Sequence, residues 1–590
     1  MEQRSPFSIP VPLAWILFVA GVFRAACLLA AAGGDPLFGA PILDAAVYDA
    51  WARRIAAGSW LSAEPFYLPP LFPYLVGLTY RLAGPGTGPA AVLQALVGLL
   101  NILLVFRIGE RVFGRRAAIL AAAGAALYAP FPFFETKILG TTLGIALNLA
   151  GILLWLRAED RVVPRSPAPR APAPRSGNGP GPWAVCGLTI GAAALVTPAA
   201  VLLGGLALLR QFLVRRPRAA VAIAAGLLAP LLPVLAHNLA VAGDPMLLSA
   251  QGGITFYQGN NPQARGLYAP VAGFSGDPSA QAAEERAIAE REAGRPMRRS
   301  EVTRHFYRKG LAWIAAHPID WIGLEIRKAG YLIGNYEPAT EYSLYEERGR
   351  LPLLRIPCLP FAVIAGMGLA GAWRLRGHPA LRLALVYGAA VPLIFYVSSR
   401  YRVLLVPVLL VFAGALADRL LTAARQGWTA RDWTGRDRAA LVAATGFAFV
   451  SFAFLGGRVS STEANAIYNL GNVLADQDRH DEAIAAYDRA LALWPDHPLA
   501  LVNRGNSLLK TGRHDEALAS YLRAEEARPG FWPAVRGQAF VLRRQGRFEA
   551  EAAACRRGLA EGGAEAERCL AAALERLGRV EAARETGPGP

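Results

Sequence analysis

The chain has 590 residues, 54% of them hydrophobic, with a mean hydropathy of +0.30. It is too long for one soluble core and too apolar for an ordinary soluble enzyme. The net charge of +17 does not read as a nucleic-acid face. The arginines cluster in short loops between apolar stretches, as cytoplasmic loops of membrane proteins do, so the charge reports topology and attraction to anionic lipid.

In chain order, the first apolar segment covers residues 11–32, too long for a signal-peptide core, and reads as an uncleaved anchor behind a cytoplasmic start bearing Arg4. Arg24 lies inside it. An arginine at mid-bilayer costs about 2.5–3.5 kcal/mol unless paired, so it faces a cavity, a partner or the interface. Residues 33–87 then lie outside. Asp44 and Asp49 fall there on a short amphipathic helix whose Val47, Tyr48, Trp51 and Ile55 make one apolar stripe, suited to a bilayer surface. A carboxylate in that place is a candidate general base. The plainer roles are a helix N-cap for Asp44 and an i,i+4 pair with Arg53 for Asp49. Residues 69–83 are apolar, short and proline-studded, which predicts a surface or re-entrant helix.

Spans two to four are expected at about 88–106, 117–130 and 139–156, with Phe134-Glu135-Thr136-Lys137 at the external mouth between the last two. There Glu135 and Lys137 are either an interfacial pair or groups for acceptor and phosphate. A flexible Pro/Arg-rich loop covers 165–175. Two short spans turn at Thr197-Pro198, and a seventh covers about 219–241. A large external region, 243–352, follows. Its loop at 251–262 holds Tyr257, Asn260 and Asn261, an aromatic and two amides suited to sugar stacking and hydroxyl hydrogen bonding, although Asn-Asn-Pro also makes a plain turn. Helical periodicity runs from 297 to about 336.

Four more spans are expected, at about 353–373, 380–397, 403–421 and 438–456. Ser398-Ser399-Arg400-Tyr401-Arg402, between the second and third of these, breaks the positive-inside trend. Two arginines on the outer face call for an anion, and guanidinium suits phosphate; anchoring to headgroups is the alternative. Eleven spans leave the tail outside.

From Glu463 a 34-residue period begins. Gly471-Asn472 recurs as Gly505-Asn506, and Arg479-His480-Asp481-Glu482-Ala483 as Arg513-His514-Asp515-Glu516-Ala517. Tyr487, Ala490 and Pro495 recur as Tyr521, Ala524 and Pro529. Small residues, aromatic knobs and a closing proline at this period are the signature of tetratricopeptide (TPR) helix pairs. A weaker third unit is marked by Gly546-Arg547, and a degenerate fourth, at Gly578-Arg579, reads as a cap. Such a stack recruits a protein partner; His480 and His514 read as loop positions rather than metal ligands. Cys555 and Cys569 in the tail are either buried thiols or a disulfide formed in an oxidising compartment. No cysteine spacing suggests zinc.

Over roughly residues 10–420 the chain resembles polyprenyl-phosphate-sugar glycosyltransferases of the GT-C class, in particular the aminoarabinose-transferase and protein-O-mannosyltransferase-like families (glycosyltransferase family 39 type). The resemblance rests on four fragments: the loop at 43–73, residues 134–137, the loop at 251–262 and residues 398–402. It implies an all-α fold, a polytopic GT-C helix bundle of about 11 spans over residues 1–460 followed by a TPR α-solenoid over 461–590.

It further implies that Asp44 deprotonates or orients an acceptor, which attacks the anomeric carbon with inversion while the lipid phosphate leaves. Asp49 and Glu135 would assist. Arg400, Tyr401, Arg402 and Lys137 would hold the donor phosphate, and Tyr48, Tyr257, Asn260 and Asn261 would meet substrate. The chain departs from the aminoarabinose transferases just before Pro69-Pro70, where Tyr67-Leu68 replaces an acidic–basic pair, so a metal or phosphate contact there is not carried over. No metal ligand set is read from the sequence, though a divalent metal is compatible with the chemistry.

The expected protein is thus a multi-pass transferase of a bacterial cytoplasmic membrane, with its tail on the periplasmic side and an unidentified envelope acceptor. The alternative from another class is a membrane scaffold or transporter whose TPR tail is the working part. A ligase using a diphosphate-linked oligosaccharide is a third reading, disfavoured by the early acidic loop.

Overall fold

The computed structural model describes residues 9–162, 179–269, 278–356, 359–375, 377–426, 434–453 and 460–585. The Pro/Arg-rich loop at 165–175 lies outside them, as do Arg4, Cys358, Arg376 and Arg431. Among the described residues the chain is all-α, from Val11–Gly34 to Leu559–Glu585. The one strand-like pairing among them is an isolated bridge between Leu267 and Val397. The chain divides into two compact units, one of Met1–Pro338 with Leu344–Arg458, the other of Ala339–Ser343 with Val459–Pro590.

Among the described residues of the first unit five helices are long and apolar enough to cross a membrane: Val11–Gly34, Thr87–Phe113, Thr141–Asp160, Pro217–Ala242 and Val406–Arg425. Gly181–Ala194, Ala200–Leu213, Phe361–Arg374 and Pro379–Ile394 are shorter apolar helices. With Arg115–Ala126 and Gly435–Ala453, a helix occupies every position expected for a span.

The edges differ where prolines intervene. The helix expected over 117–130 ends at Ala126, and a separate short helix, Pro130–Glu135, starts on its own proline. The helix expected from 353 begins at Phe361, because Pro352–Arg355 is a short 3₁₀ turn. The 297–336 stretch is two helices, Arg299–Ala316 and Pro318–Ile333; they part at Pro318, whose ring clashes with the preceding turn. The expected re-entrant segment is a single helix, Leu71–Ala83.

Lipid gives apolar helices little reason to prefer one another, so small residues that let backbones touch do much of the packing. Gly187 abuts the Ile223 carbonyl and Gly226 the Ala184 carbonyl, leaving no room for a Cβ at either. Gly98 works differently: a Cβ there would occupy the space of the Glu135 carboxylate. That space lets Glu135 meet Arg24, Nε to Oε2 at 2.7 Å and Nη2 to Oε1 at 2.9 Å, with both side chains buried. This two-pronged pair settles the sequence's open question about Arg24. Asp437 receives Arg374 and Arg419, each at 2.8 Å, and so ties Gly435–Ala453 to two other helices.

The second unit stacks helix pairs: Ser460–Asp476 with His480–Leu493, Pro498–Lys510 with His514–Ala527, and Trp532–Arg544 with Phe548–Arg557. The degenerate unit expected at Gly578-Arg579 lies in Leu559–Glu585, whose helical path breaks at Gly563. His480 and His514 are first helical residues rather than loop residues. Cys555 and Cys569 are joined as a disulfide, with their Cα atoms 5.7 Å apart.

Candidate functional site

Asp44 is the first residue of the helix Asp44–Ala56. It does not cap that helix: the preceding position is Leu43, which makes no side-chain cap bond. Leu43 holds φ +53° and ψ −128°, a backbone region that a branched side chain occupies at a cost of about 1–3 kcal/mol. The strain sets the entry angle of the helix, and the helix dipole favours a carboxylate in the first turn.

The Asp44 carboxylate meets Arg400, Nη1 to Oδ2 at 2.9 Å, with the two side chains 18% and 23% exposed. Arg400 lies on the four-residue helix Ser399–Arg402, capped by the Ser398 hydroxyl, which accepts from the Tyr401 amide. Two backbone bonds hold this segment from outside, Val397 N to Gly266 O at 2.9 Å and Ser399 N to Pro338 O at 3.0 Å. The segments around Gly266 and Pro338 thus position the arginine, and the pair is only partly buried.

Arg402 has another use. It is fully buried, with Nη2 to Glu337 Oε2 at 2.5 Å, Nη1 donating to the Gly334 carbonyl and Nη2 to the Tyr336 carbonyl, and its guanidinium 4.0 Å over the Phe361 ring. Tyr128 also donates to Glu337, at 2.6 Å. Tyr401 packs near Tyr396 and Phe395, ring centres 5.3 and 6.1 Å away.

The other expected site residues are bound up in the protein. Asp49 accepts from Arg53 at 2.7 Å and from the Tyr80 hydroxyl at 2.6 Å. Tyr48 is buried edge-on to Phe72, 5.4 Å between centres. Glu135 pairs with Arg24, and Lys137 is buried between Glu347 at 2.8 Å and Asp35 at 3.4 Å, so the two are not paired with each other. Arg350 joins this cluster at 3.1 Å from Asp35. Burial raises the Asp35 carboxyl, but Lys137 and Arg350 outweigh it and leave it below its ordinary value. Glu347, deeper and beside Asp35, is held above its own.

The expected sugar loop at 251–262 is mostly a helix, Gly252–Gly259. Asn260 donates to the carbonyls of Phe256 and Ile394 and accepts from Lys328 at 3.2 Å. Asn261 donates to Tyr257 and Gln258 carbonyls. Tyr257 is packed with Phe306 and Met297 in a local core. These amides brace the fold around Gly252–Gly259. Among the described residues no three His, Cys, Asp or Glu side chains gather as a metal-holding group.

Sequence patterns pointed to neither partner of Tyr67. Its hydroxyl donates to Glu285, a buried residue of the helix Pro278–Ala293, and Arg299 lies 5.9 Å over its ring. The Tyr67 phenol is pushed well above its ordinary value by burial, then by Glu285 and by Asp44, so it senses both carboxylates. An acid and a base, missing from the sequence beside Pro69-Pro70, reach Tyr67 from more than 200 residues away.

Residues 68–166 match the family model of dolichyl-phosphate-mannose-protein mannosyltransferases, and residues 468–530 match that of the tetratricopeptide repeat. The likeness to GT-C enzymes read from the sequence is thereby supported on its membrane part. No curated protein matched the chain.

Among solved structures, the chain is similar to the oligosaccharyltransferase AglB from Archaeoglobus fulgidus, in complex with an inhibitory peptide and a dolichol-phosphate. There the identity is 16% and the TM-score 0.42, over 80% of this chain and 59% of that one. It is also similar to ArnT from Cupriavidus metallidurans bound to undecaprenyl phosphate, at 17% identity and TM-score 0.37, over 92% of this chain and 79% of that one. The chain thus spans about three fifths of the length of the archaeal enzyme.

Proposed function

We propose that this membrane protein is a glycosyltransferase that moves a sugar from a polyprenyl-phosphate carrier to an acceptor of the cell envelope, with Asp44 as general base and Arg400 holding the lipid phosphate. The observation that carries this reading is the Asp44–Arg400 pair, 2.9 Å long, formed across 356 residues of sequence by the two fragments the family resemblance singles out. The chemistry needs a base on one face of the sugar and a stabiliser for the leaving phosphate on the other. The half-open pair offers both groups, and it suggests an order of events. In the resting pair Arg400 occupies the Asp44 carboxylate; a phosphate that takes Arg400 frees Asp44 for the acceptor's proton.

The family model over 68–166 adds support. The acceptor side is the external face by the distribution of arginines, and the Cys555–Cys569 disulfide suits a tail in an oxidising compartment. The TPR stack would bring an acceptor or a partner protein to the membrane unit.

The test is sugar transfer from a tritiated polyprenyl-phosphate mannose to envelope membranes by the purified chain. Asp44→Asn should lose about 100-fold or more, as removal of a general base does. Arg400→Ala should raise the donor concentration needed for half-maximal rate. A folded Asp44→Asn protein with full transfer would remove Asp44 from the mechanism.

A further inference from the structure

The external region places a second carboxylate beside the candidate site. Glu285 is 3% exposed on Pro278–Ala293 and accepts the Tyr67 hydroxyl proton. Gln281 also donates to it, at 3.3 Å. Tyr67 is held from both sides of its backbone: Phe66 N donates to Asn238 Oδ1 at 3.1 Å, and Gln251 N donates to Tyr67 O at 3.2 Å. The charged and titratable groups facing Glu285 are Tyr67 and Arg299, with Asp44 beyond the phenol and Glu64 beyond Arg299 at 4.0 Å. A charged residue so buried is rare unless paired, and here the pairing atom is a neutral hydroxyl; the helix that carries Glu285 packs against the helix that begins at Asp44.

We propose that Glu285 is a positioning residue that, through its hydrogen bond with Tyr67, decides whether the phenol offers the Asp44 site a lone pair or a proton. Ionised, Glu285 takes the phenolic hydrogen and leaves the oxygen free to accept from an incoming acceptor hydroxyl. Protonated, the carboxyl donates to the phenolic oxygen, and the phenolic hydrogen turns toward the site. No bond to the sugar is made or broken by this change; only the orientation of one hydroxyl differs. The change falls in the physiological range, because burial lifts Glu285 from 4.5 to about 7 against the pull of Tyr67 and Arg299.

This role rests on the proposed transferase reading. Two measurements on the full chain separate the two. In the first, transfer from tritiated undecaprenyl-phosphate mannose to membranes of a strain lacking the chain is followed from pH 5.5 to 8.5. The wild-type rate at limiting acceptor should drop about three- to tenfold below a midpoint near 7, the worth of one hydrogen bond. Glu285→Gln, a permanent mimic of the protonated state, should show the low-pH rate throughout. Tyr67→Phe should also be flat, and it serves if Glu285→Gln fails to fold; Glu285→Asp should restore a limb.

In the second, thermal unfolding of the purified chain is followed against pH. The fold binds the Glu285 proton more tightly than the unfolded chain. Stability should therefore fall as pH rises from about 4.5 to about 7 and return on acidification; Glu285→Gln should lose that slope. Glu285→Gln with an unchanged wild-type pH limb, while Asp44→Asn is inactive, overturns the role of Glu285 and leaves the transferase standing. A wild type that transfers nothing at any pH overturns the transferase and this role with it.

Discussion

Neighbouring arginines of one short motif do different work. Arg400 is partly open and faces Asp44; Arg402, two residues on, is sealed against Glu337 and two carbonyls. On a helix these positions point to different sides, so the motif serves the site with one hand and the fold with the other. Breaking a buried pair leaves its partner charged and unsatisfied, which costs about 3–5 kcal/mol. Arg402→Ala should therefore lower the unfolding temperature or abolish accumulation of the chain, while Arg400→Ala should change that temperature little and act on donor use. Thermal unfolding in detergent beside the transfer assay distinguishes the two. The sequence showed both arginines and the need for an anion but not which anion each would meet, because Glu337 sits 65 residues away in an irregular stretch. Glu285 was harder still: it lies in a run of Ala, Glu and Arg that reads as a solvated helix face, and only the tertiary fold turns one of its glutamates inward.

Helix positions were legible almost throughout, since a run of apolar residues with few charges has one stable form in a bilayer. What the run does not specify is its ends: Pro130, Pro318 and Pro360 moved boundaries that hydropathy alone placed elsewhere. The tail repeats show how a pattern becomes a contact. Gly471 leaves room for the ring of Tyr487, and Gly505 for the ring of Tyr521. The following residue takes the hydroxyl: Tyr487 donates to Asn472 at 2.9 Å, and Tyr521 to Asn506 at 2.7 Å. Glycine, asparagine and tyrosine recur together because each needs the other two. Gly471→Ala pushes a methyl into the ring and should destabilise the first repeat by about 1–3 kcal/mol. Limited proteolysis of the full chain should show earlier cleavage within the tail, with the membrane unit unaffected.

At the scale of the whole molecule, the distribution of arginines and the cysteine pair bear on one question, the compartment of the tail. An odd number of spans would put the tail outside, where a disulfide between Cys555 and Cys569 would be at home. Chain taken from cells under acid quench should leave both cysteines unreactive to a maleimide until reductant is added; labelling of both without reductant would place the tail in a reducing compartment.

The buried Arg24–Glu135 pair has a consequence in time. The two residues are 111 positions apart, and a ribosome adding about 5–20 residues per second needs several seconds or more to bring the second after the first. Through that interval the opening helix holds an arginine worth about 2.5–3.5 kcal/mol against insertion with its eventual counter-charge not yet made. The first helix is therefore provisional when it enters the bilayer, and the arrival of the Pro130–Glu135 turn is the event that makes its placement permanent.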